Sequence, residues 1–228
     1  MLEERLQTEE LMDDPTLPEE TYREVLADLA KVNRITLAYR PTLAFLDRVI
    51  DDRKRLKVLD VGYGQGDMLR AIADWADKRG VKAELVGVDL NSRSEAAARK
   101  ATPSHMPITY RTGDYGDLIG AGWDCVVSSL VAHHMTHDEL VLFLRFMEAE
   151  SRLGWFVNDL HRHALSYAGY PVLATLARWH RIVRSDGRTS IARSYRPEEW
   201  DAILDEAGVE NASVERFFPF RLCVSKIR

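Results

Sequence analysis

Cysteine is scarce in this sequence: only Cys125 and Cys223 occur in 228 residues, both on predicted strands. That excludes a disulfide scaffold and predicts two buried, reduced thiols, which suits a reducing compartment. No H-x-x-x-H pair falls within a predicted helix and no paired-cysteine spacing occurs, so no metal is expected. No apolar run approaches the ~20 residues needed to cross a bilayer, which argues against integral membrane association. The N-terminus is acidic and has no signal-peptide pattern, and a cytoplasmic location is expected. A basic excess is also missing. The formal charge of -5 argues against a nucleic-acid partner, which would require a positive footprint. Internal repeats and low-complexity segments do not occur.

What is present is enough apolar material, 46% of the chain, for one large α/β domain with decorations. Its organising stretch is Val58-Leu59-Asp60-Val61-Gly62-Tyr63-Gly64-Gln65-Gly66-Asp67. Leu56 to Val61 is a short apolar run suited to a parallel strand buried on both faces. Three glycines follow at alternate positions, where a missing Cβ lets a ligand approach the main chain. Asp67 then caps a predicted helix whose apolar stripe is Met68, Leu69, Ile72, Trp75 and Ala76. The dinucleotide fingerprint G-x-G-x-x-G would place a glycine where this chain has Asp67. An acid there competes with a pyrophosphate for the helix N-terminus, so a phosphate-free adenosyl ligand fits better than NAD.

The next strand, Glu84 to Val88, ends in Asp89, roughly 20 residues or somewhat more beyond the turn, where a ribose diol would be gripped. With Asp60, Gly62, Gly64, Gly66 and Asp89 in place, the chain resembles the class I S-adenosylmethionine-dependent methyltransferases, whose first motif reads D-x-G-x-G-x-G. Gly113-Asp114-Tyr115 resembles their adenine-side motif, and Val126-Val127-Ser128-Ser129-Leu130 their fourth-strand motif beside the methionine. The resemblance implies S-adenosyl-L-methionine as cofactor, with Leu90, Asp114, Tyr115, Ser128 and Ser129 also at its site. Tyr63 stands where many relatives carry a small residue or Cys. Its ring either crowds the methionine end or turns away onto neighbouring structure.

Strands are predicted at about 57 to 61, 84 to 89, 107 to 111, 123 to 129 and 154 to 159, alternating with helices, the pattern of a parallel sheet covered on both faces. Residues 209 to 217 and 221 to 227 read as a terminal β-hairpin. With the resemblance, the expected fold is a Rossmann-like, doubly wound, mostly parallel seven-stranded sheet ending in that hairpin. Residues 1–50 form an N-terminal arm and lid helices, and residues 51–228 the core. A helix opened by Pro18 is expected to run to Pro41, with Asn33, Arg34, Tyr39 and Arg40 as polar residues near the site. Residues 1 to 15 read as a loose arm or short helix. Residues 161–196 are too many for a simple connection and are expected to form a helical cap, walling a substrate pocket with aliphatic and aromatic surface. Residues 1 to 24 hold nine acids and residues 161 to 196 seven arginines, so leader and insertion are expected to attract each other above the strand ends.

Methyl transfer from a sulfonium is a direct displacement that mainly requires alignment. A base is needed when the nucleophile starts protonated, as a phenol does, and histidine suits that work. His133 and His134 follow the fourth strand directly. His134, Asp138 and Glu139 resemble the H-x-x-x-D-E signature of plant-type phenolic O-methyltransferases, with His134 on the position of the base. His133 is the next candidate, and Asp159 and His161, after the fifth strand, are the alternatives. The whole chain resembles bacterial small-molecule methyltransferases linked to type III polyketide phenolic products, relatives of the ubiquinone and menaquinone C-methyltransferases. That implies a small aromatic or phenolic acceptor. O-methylation is the leading expectation. Ring C-methylation of a quinone precursor and non-catalytic cofactor binding by an accessory protein are the alternatives.

Overall fold

The structure, a computed structural model, describes residues 2–228. Seven strands form one sheet in the order β3-β2-β1-β4-β5-β7-β6. They are β1 (Arg55–Val61), β2 (Lys82–Asp89), β3 (Ile108–Thr112), β4 (Trp123–Ser129), β5 (Ser151–Leu160), β6 (Ser213–Phe217) and β7 (Arg221–Ile227). The first five run parallel, and β7 pairs antiparallel with both β5 and β6. The expected doubly wound sheet with a terminal hairpin is what the chain forms.

The two-faced burial of the strands follows from their apolar runs. Val126, Trp155 and Val157 point into one core, beneath α5 (His137–Glu150) and α8 (Pro197–Ala207). Cys125, Val127 and Phe156 point into the other, beneath α2 (Tyr39–Ile50) and α3 (Asp67–Arg79). Each fully buried side chain of this size contributes about 1.5–3 kcal/mol, so the central strands fix their own register. Both cysteines are free and buried. The Thr136 and Glu139 capping box starts α5. Among the described residues no helix is long and apolar enough to cross a membrane.

Three expectations need correction. The break after α1 (Glu19–Ile35) comes at Leu37, whose φ is 56°, and not at Pro41, which is buried in the first turn of α2. Proline is tolerated there because the first amides of a helix have no intrahelical partner. Asp67 is the first residue of α3 and not its cap. Its carboxylate accepts instead from Asn33 Nδ2 (3.0 Å) and Tyr39 OH (2.8 Å), tying α1 and α2 to the glycine loop.

The leader, finally, is not loose. Leu6 N–H donates to Ala192 O, and a single 3-10 turn, Leu11–Asp13, has two amides bonded to the Asp186 carboxylate. The insertion forms α6 (Ala164–Leu176) and α7 (Arg181–Arg193). Its arginines hold the leader through backbone carbonyls and not through the leader's carboxylates. Arg162 donates to Leu2 O and Glu3 O, and Arg193 donates to Thr8 O.

Candidate active site

The carboxyl ends of β1 and β4 lie where the strand order reverses, the place at which open parallel sheets bind ligands. A cavity of about 590 Å³ opens there, within the usual range for small-molecule sites. Its floor is the loop after β1. Gly62 and Gly66 adopt φ of 77° and 73°, and a Cβ at either would lie 2.3 Å from Val131 or Tyr110. Only glycine fits both demands. Gly62 and Gly64 line the cavity, whereas Gly66 is outside the lining, at the N-cap of α3.

Asp89 closes β2 beside this loop. Its carboxylate accepts from Gly64 N–H (2.9 Å) and Asn91 N–H (2.8 Å), and burial raises its pKa. Asp60, 1% exposed, also lines the cavity, and its Oδ2 has no hydrogen-bond partner among the described residues. Burial, and then the neighbouring Asp67 and Asp89, push its carboxyl well above the ordinary range. Three acids around one loop make a site that favours hydroxyl donors and positive charge and repels a phosphate. The ribose diol, ammonium and sulfonium of S-adenosylmethionine meet that requirement. Leu90, 76% exposed on the cavity rim, and Tyr115 offer apolar surface on the same side.

Tyr63 borders the cavity, but its ring is buried in the core. Its ring packs on Tyr110, with centroids 4.9 Å apart, in the core under α3. Room for it comes from Gly87 in β2, where a Cβ would lie 2.6 Å from the Tyr63 ring.

At the far end of the cavity, beyond β4, sit His133 and His134, their rings 4.3 Å apart. His133 is buried. Its Nδ1 lies 2.7 Å from Asp159 Oδ1, and its Nε2 lies 3.4 Å from Glu10 Oε1. Burial alone would depress its pKa, but Asp159 and Glu10 push it up to about 9. His134 is 30% exposed, with Nδ1 3.3 Å from Asp13 Oδ2 and Nε2 3.8 Å from Glu10 Oε1. One carboxylate oxygen of Glu10 and a ring nitrogen of each histidine thus lie within 4.8 Å of one another. Asn33, Tyr39 and Ser129 also line the cavity, while Arg34 and Arg40 are exposed.

The remaining sequence candidates do not face the cavity. Ser128 Oγ donates to Val61 O and pins β4 to β1. Asp114 is exposed, and its carboxylate accepts from Gly116 N–H in its own turn. Asp159 is consumed by His133 and by Leu160 N–H (2.7 Å). His161 forms an isolated bridge to Tyr195, and burial lowers its pKa.

Glu10 is the residue that sequence reading missed. It lies in an acidic run that looks solvated, and only the docking of the leader brings it to the histidines, with Ser190 Oγ donating to it at 2.7 Å. The roof, Leu26 and Leu29 from α1, Leu165, Tyr170 and Leu173 from α6, and Phe220 before β7, carries the helical periodicity that pointed to an apolar wall.

Residues 58–149 match the family model for a methyltransferase domain. No curated protein sequence matches the chain. Among solved structures, the fold is similar to that of human N-acetylserotonin methyltransferase in complex with SAM. The TM-score is 0.64 at 13% identity, covering 92% of this chain and 56% of that one. It is similar as well to a plantazolicin methyltransferase in complex with SAH, with TM-score 0.64 and 14% identity over 95% of this chain and 92% of that one. Magnesium protoporphyrin IX methyltransferase from Synechocystis, with bound SAH, gives TM-score 0.56 and 15% identity over 95% and 90%. Residues 58–149 thus carry a methyltransferase domain, set in a seven-stranded fold that is similar to those of methyltransferases bound to SAM or SAH.

Proposed function

We propose that the chain methylates a phenolic oxygen on a small hydroxylated aromatic. The observation that carries this reading is one continuous cavity that starts at Asp60, Asp89 and the glycine loop and ends at His134 under an aliphatic and aromatic roof. S-adenosylmethionine supplies an electrophilic methyl group on a sulfonium. On this reading Asp89 accepts from the ribose hydroxyls, the Gly62 to Gly64 backbone lies against the cofactor, and Leu90 and Tyr115 cover its adenine.

The acceptor's proton is the remaining problem. A phenol with a pKa of about 10 is ionised to roughly one part in a thousand at neutral pH, a deficit of ~4 kcal/mol that a positioned base reduces. His133, clamped between two carboxylates and protonated up to about pH 9, is a poor acceptor. The role falls to His134, which lines the cavity and is oriented by Asp13. The packing of the Tyr63 ring into the core supports catalysis over a purely accessory role.

The test is a screen of phenols, resorcinols and quinols with labelled cofactor, followed by location of the methyl group. Transfer to oxygen supports the proposal. Transfer to a ring carbon would replace it with C-methylation, and cofactor binding without transfer to any acceptor would replace it with an accessory role. His134→Gln is expected to retain cofactor affinity and lower turnover by ~10²- to 10⁴-fold, with the loss shrinking at high pH where the phenol ionises unaided.

A further inference from the structure

Arg221 opens β7 and is 2% exposed, yet its Nε and Nη1 have no hydrogen-bond partner among the described residues. Nη2 reaches Thr36 Oγ1 at 3.4 Å. Burial depresses its pKa, and the carboxylates whose charge opposes that effect, Asp159 and Asp67, are spent on other partners. A guanidinium nevertheless keeps its proton inside proteins, so this is a buried cation left with free donors. Arg162, equally buried, shows how such a group is ordinarily settled. It donates to Leu2 O, Glu3 O and Ser194 O and pairs with Glu199.

The residue that carries this charge borders ligand space. Arg221 lines the cavity beside Thr36, Leu160 and Phe220. The order β1-β4-β5-β7 puts two strand spacings, about 10 Å, between its strand and β4, the edge of the cofactor crevice. An anion paired with Arg221 therefore belongs to the acceptor's half of the cavity. We propose that Arg221 recognises a carboxylate carried by the methyl acceptor, so that the acceptor class is hydroxylated aromatic acids. This inference rests on the reading of the chain as a phenol methyltransferase. The carboxylate takes charge-assisted hydrogen bonds from the free guanidinium donors, and the apolar roof excludes the water that would weaken them. The same pairing fixes which hydroxyl of the ring is presented to His134.

The experiment is calorimetry on the full chain loaded with S-adenosylhomocysteine, using alkyl-substituted hydroxybenzoates and the matching carboxamides as probes. The wild type is expected to bind each acid about 10- to 100-fold more tightly than its amide, the range of a charged hydrogen bond. Arg221→Met is expected to abolish that preference while changing affinity for the cofactor and for neutral phenols by less than about threefold. Equal binding of acid and amide by the wild type overturns the proposal without any variant. Equal loss of acid and amide in Arg221→Met overturns it too, since the side chain then only shapes the wall. So does a fall in cofactor affinity, since the anion is then the cofactor's. Thermal melts establish that the variant is folded, and removal of an unpaired buried charge is expected to leave the melting temperature unchanged or higher. Methyl transfer to a neutral phenol without acid preference defeats this inference alone. Acid preference without transfer to any phenol defeats the parent reading and leaves the anion site standing.

Discussion

Glu10 Oε1 lies 3.4 Å from His133 Nε2, and both side chains are 3% exposed although 123 positions separate them in the chain. Asp159 holds the other ring nitrogen, so an imidazole sits between two buried carboxylates. Burial works against the charged ring, but Asp159 and Glu10 prevail and raise its pKa to about 9.

A raised folded-state pKa contributes stability that is complete below the unfolded value, near ~6.5, and is lost as pH climbs through about 9. Denaturant melts of the wild type across that window are expected to show a falling stability. In Glu10→Gln the decline starts at the same pH, set by the unfolded state, but ends at lower pH and is smaller. Removal of Asp159, in Asp159→Asn, costs about 3–5 kcal/mol, because it leaves a buried charge uncompensated. A wild-type profile that is flat from pH 6.5 to 9 would mean the ring is neutral throughout.

The acids around the glycine loop make a second prediction. Asp89→Ala is expected to weaken cofactor binding by about 1–3 kcal/mol, the worth of hydrogen bonds to a charged group. Burial holds the Asp60 and Asp89 carboxyls above their ordinary pKa. A cationic ligand favours their ionised forms, so binding releases protons and tightens as pH rises through the acid range. Titrations in buffers of different ionisation enthalpy measure that release. Proton uptake would reverse the assignment.

How much of this was legible depended on whether a residue's partner was local. The capping box at Thr136 announces itself because its geometry is set within a few residues, and the glycine turn and Asp89 because their spacing follows a recognisable motif although their partners lie far along the chain. Glu10 does not, because its meaning comes from a leader docked through arginine-to-carbonyl bonds that leave no mark in a charge count. The same holds for Arg221, whose oddity is that Nε and Nη1 have no partner among the described residues. Ser128 and Asp114 carry the right residue types, but nearby backbone groups compete for them and occupy their polar atoms. Pro41 misled for a simpler reason: a proline in a first turn and a proline that ends a helix look alike when the turn before it, at Leu37, is unseen.

The pairing of Tyr63 with Gly87 is testable by a double-mutant cycle. Gly87→Ala drives a Cβ into the Tyr63 ring and is expected to cost about 1–3 kcal/mol by overpacking. Tyr63→Val makes room, so the double variant should be less destabilised than the sum of the singles. Tyr63→Phe removes a buried hydroxyl that has no partner among the described residues and is expected to stabilise the fold by about 1 kcal/mol. Strict additivity of the first pair would place the ring elsewhere.

Deleting residues 1–14 tests the leader as part of the site. Arg5 donates to Arg193 O, His133 O and Met135 O, and Glu10 and Asp13 approach the histidines, so the deletion removes Glu10, Met12 and Asp13 from the cavity wall and Arg5 from the backbone that carries the histidines. The cofactor's end, built on the glycine loop and Asp89, keeps its structure. Acceptor KM is therefore expected to rise by about tenfold or more, the loss that follows when one or two charged hydrogen-bonded groups go missing. Cofactor affinity should change by less than about threefold. Salt distinguishes how the leader is held. Its bonds run from guanidinium groups to backbone carbonyls in partly buried positions, where added ions screen little, so acceptor KM of the intact chain should vary weakly between low salt and about 0.5 M. A steep salt dependence would show that exposed carboxylate-to-arginine attraction dominates in solution. An unchanged acceptor KM in the truncated chain would instead leave the leader as a structural strap over α7, with His134 oriented by the remainder of the cavity.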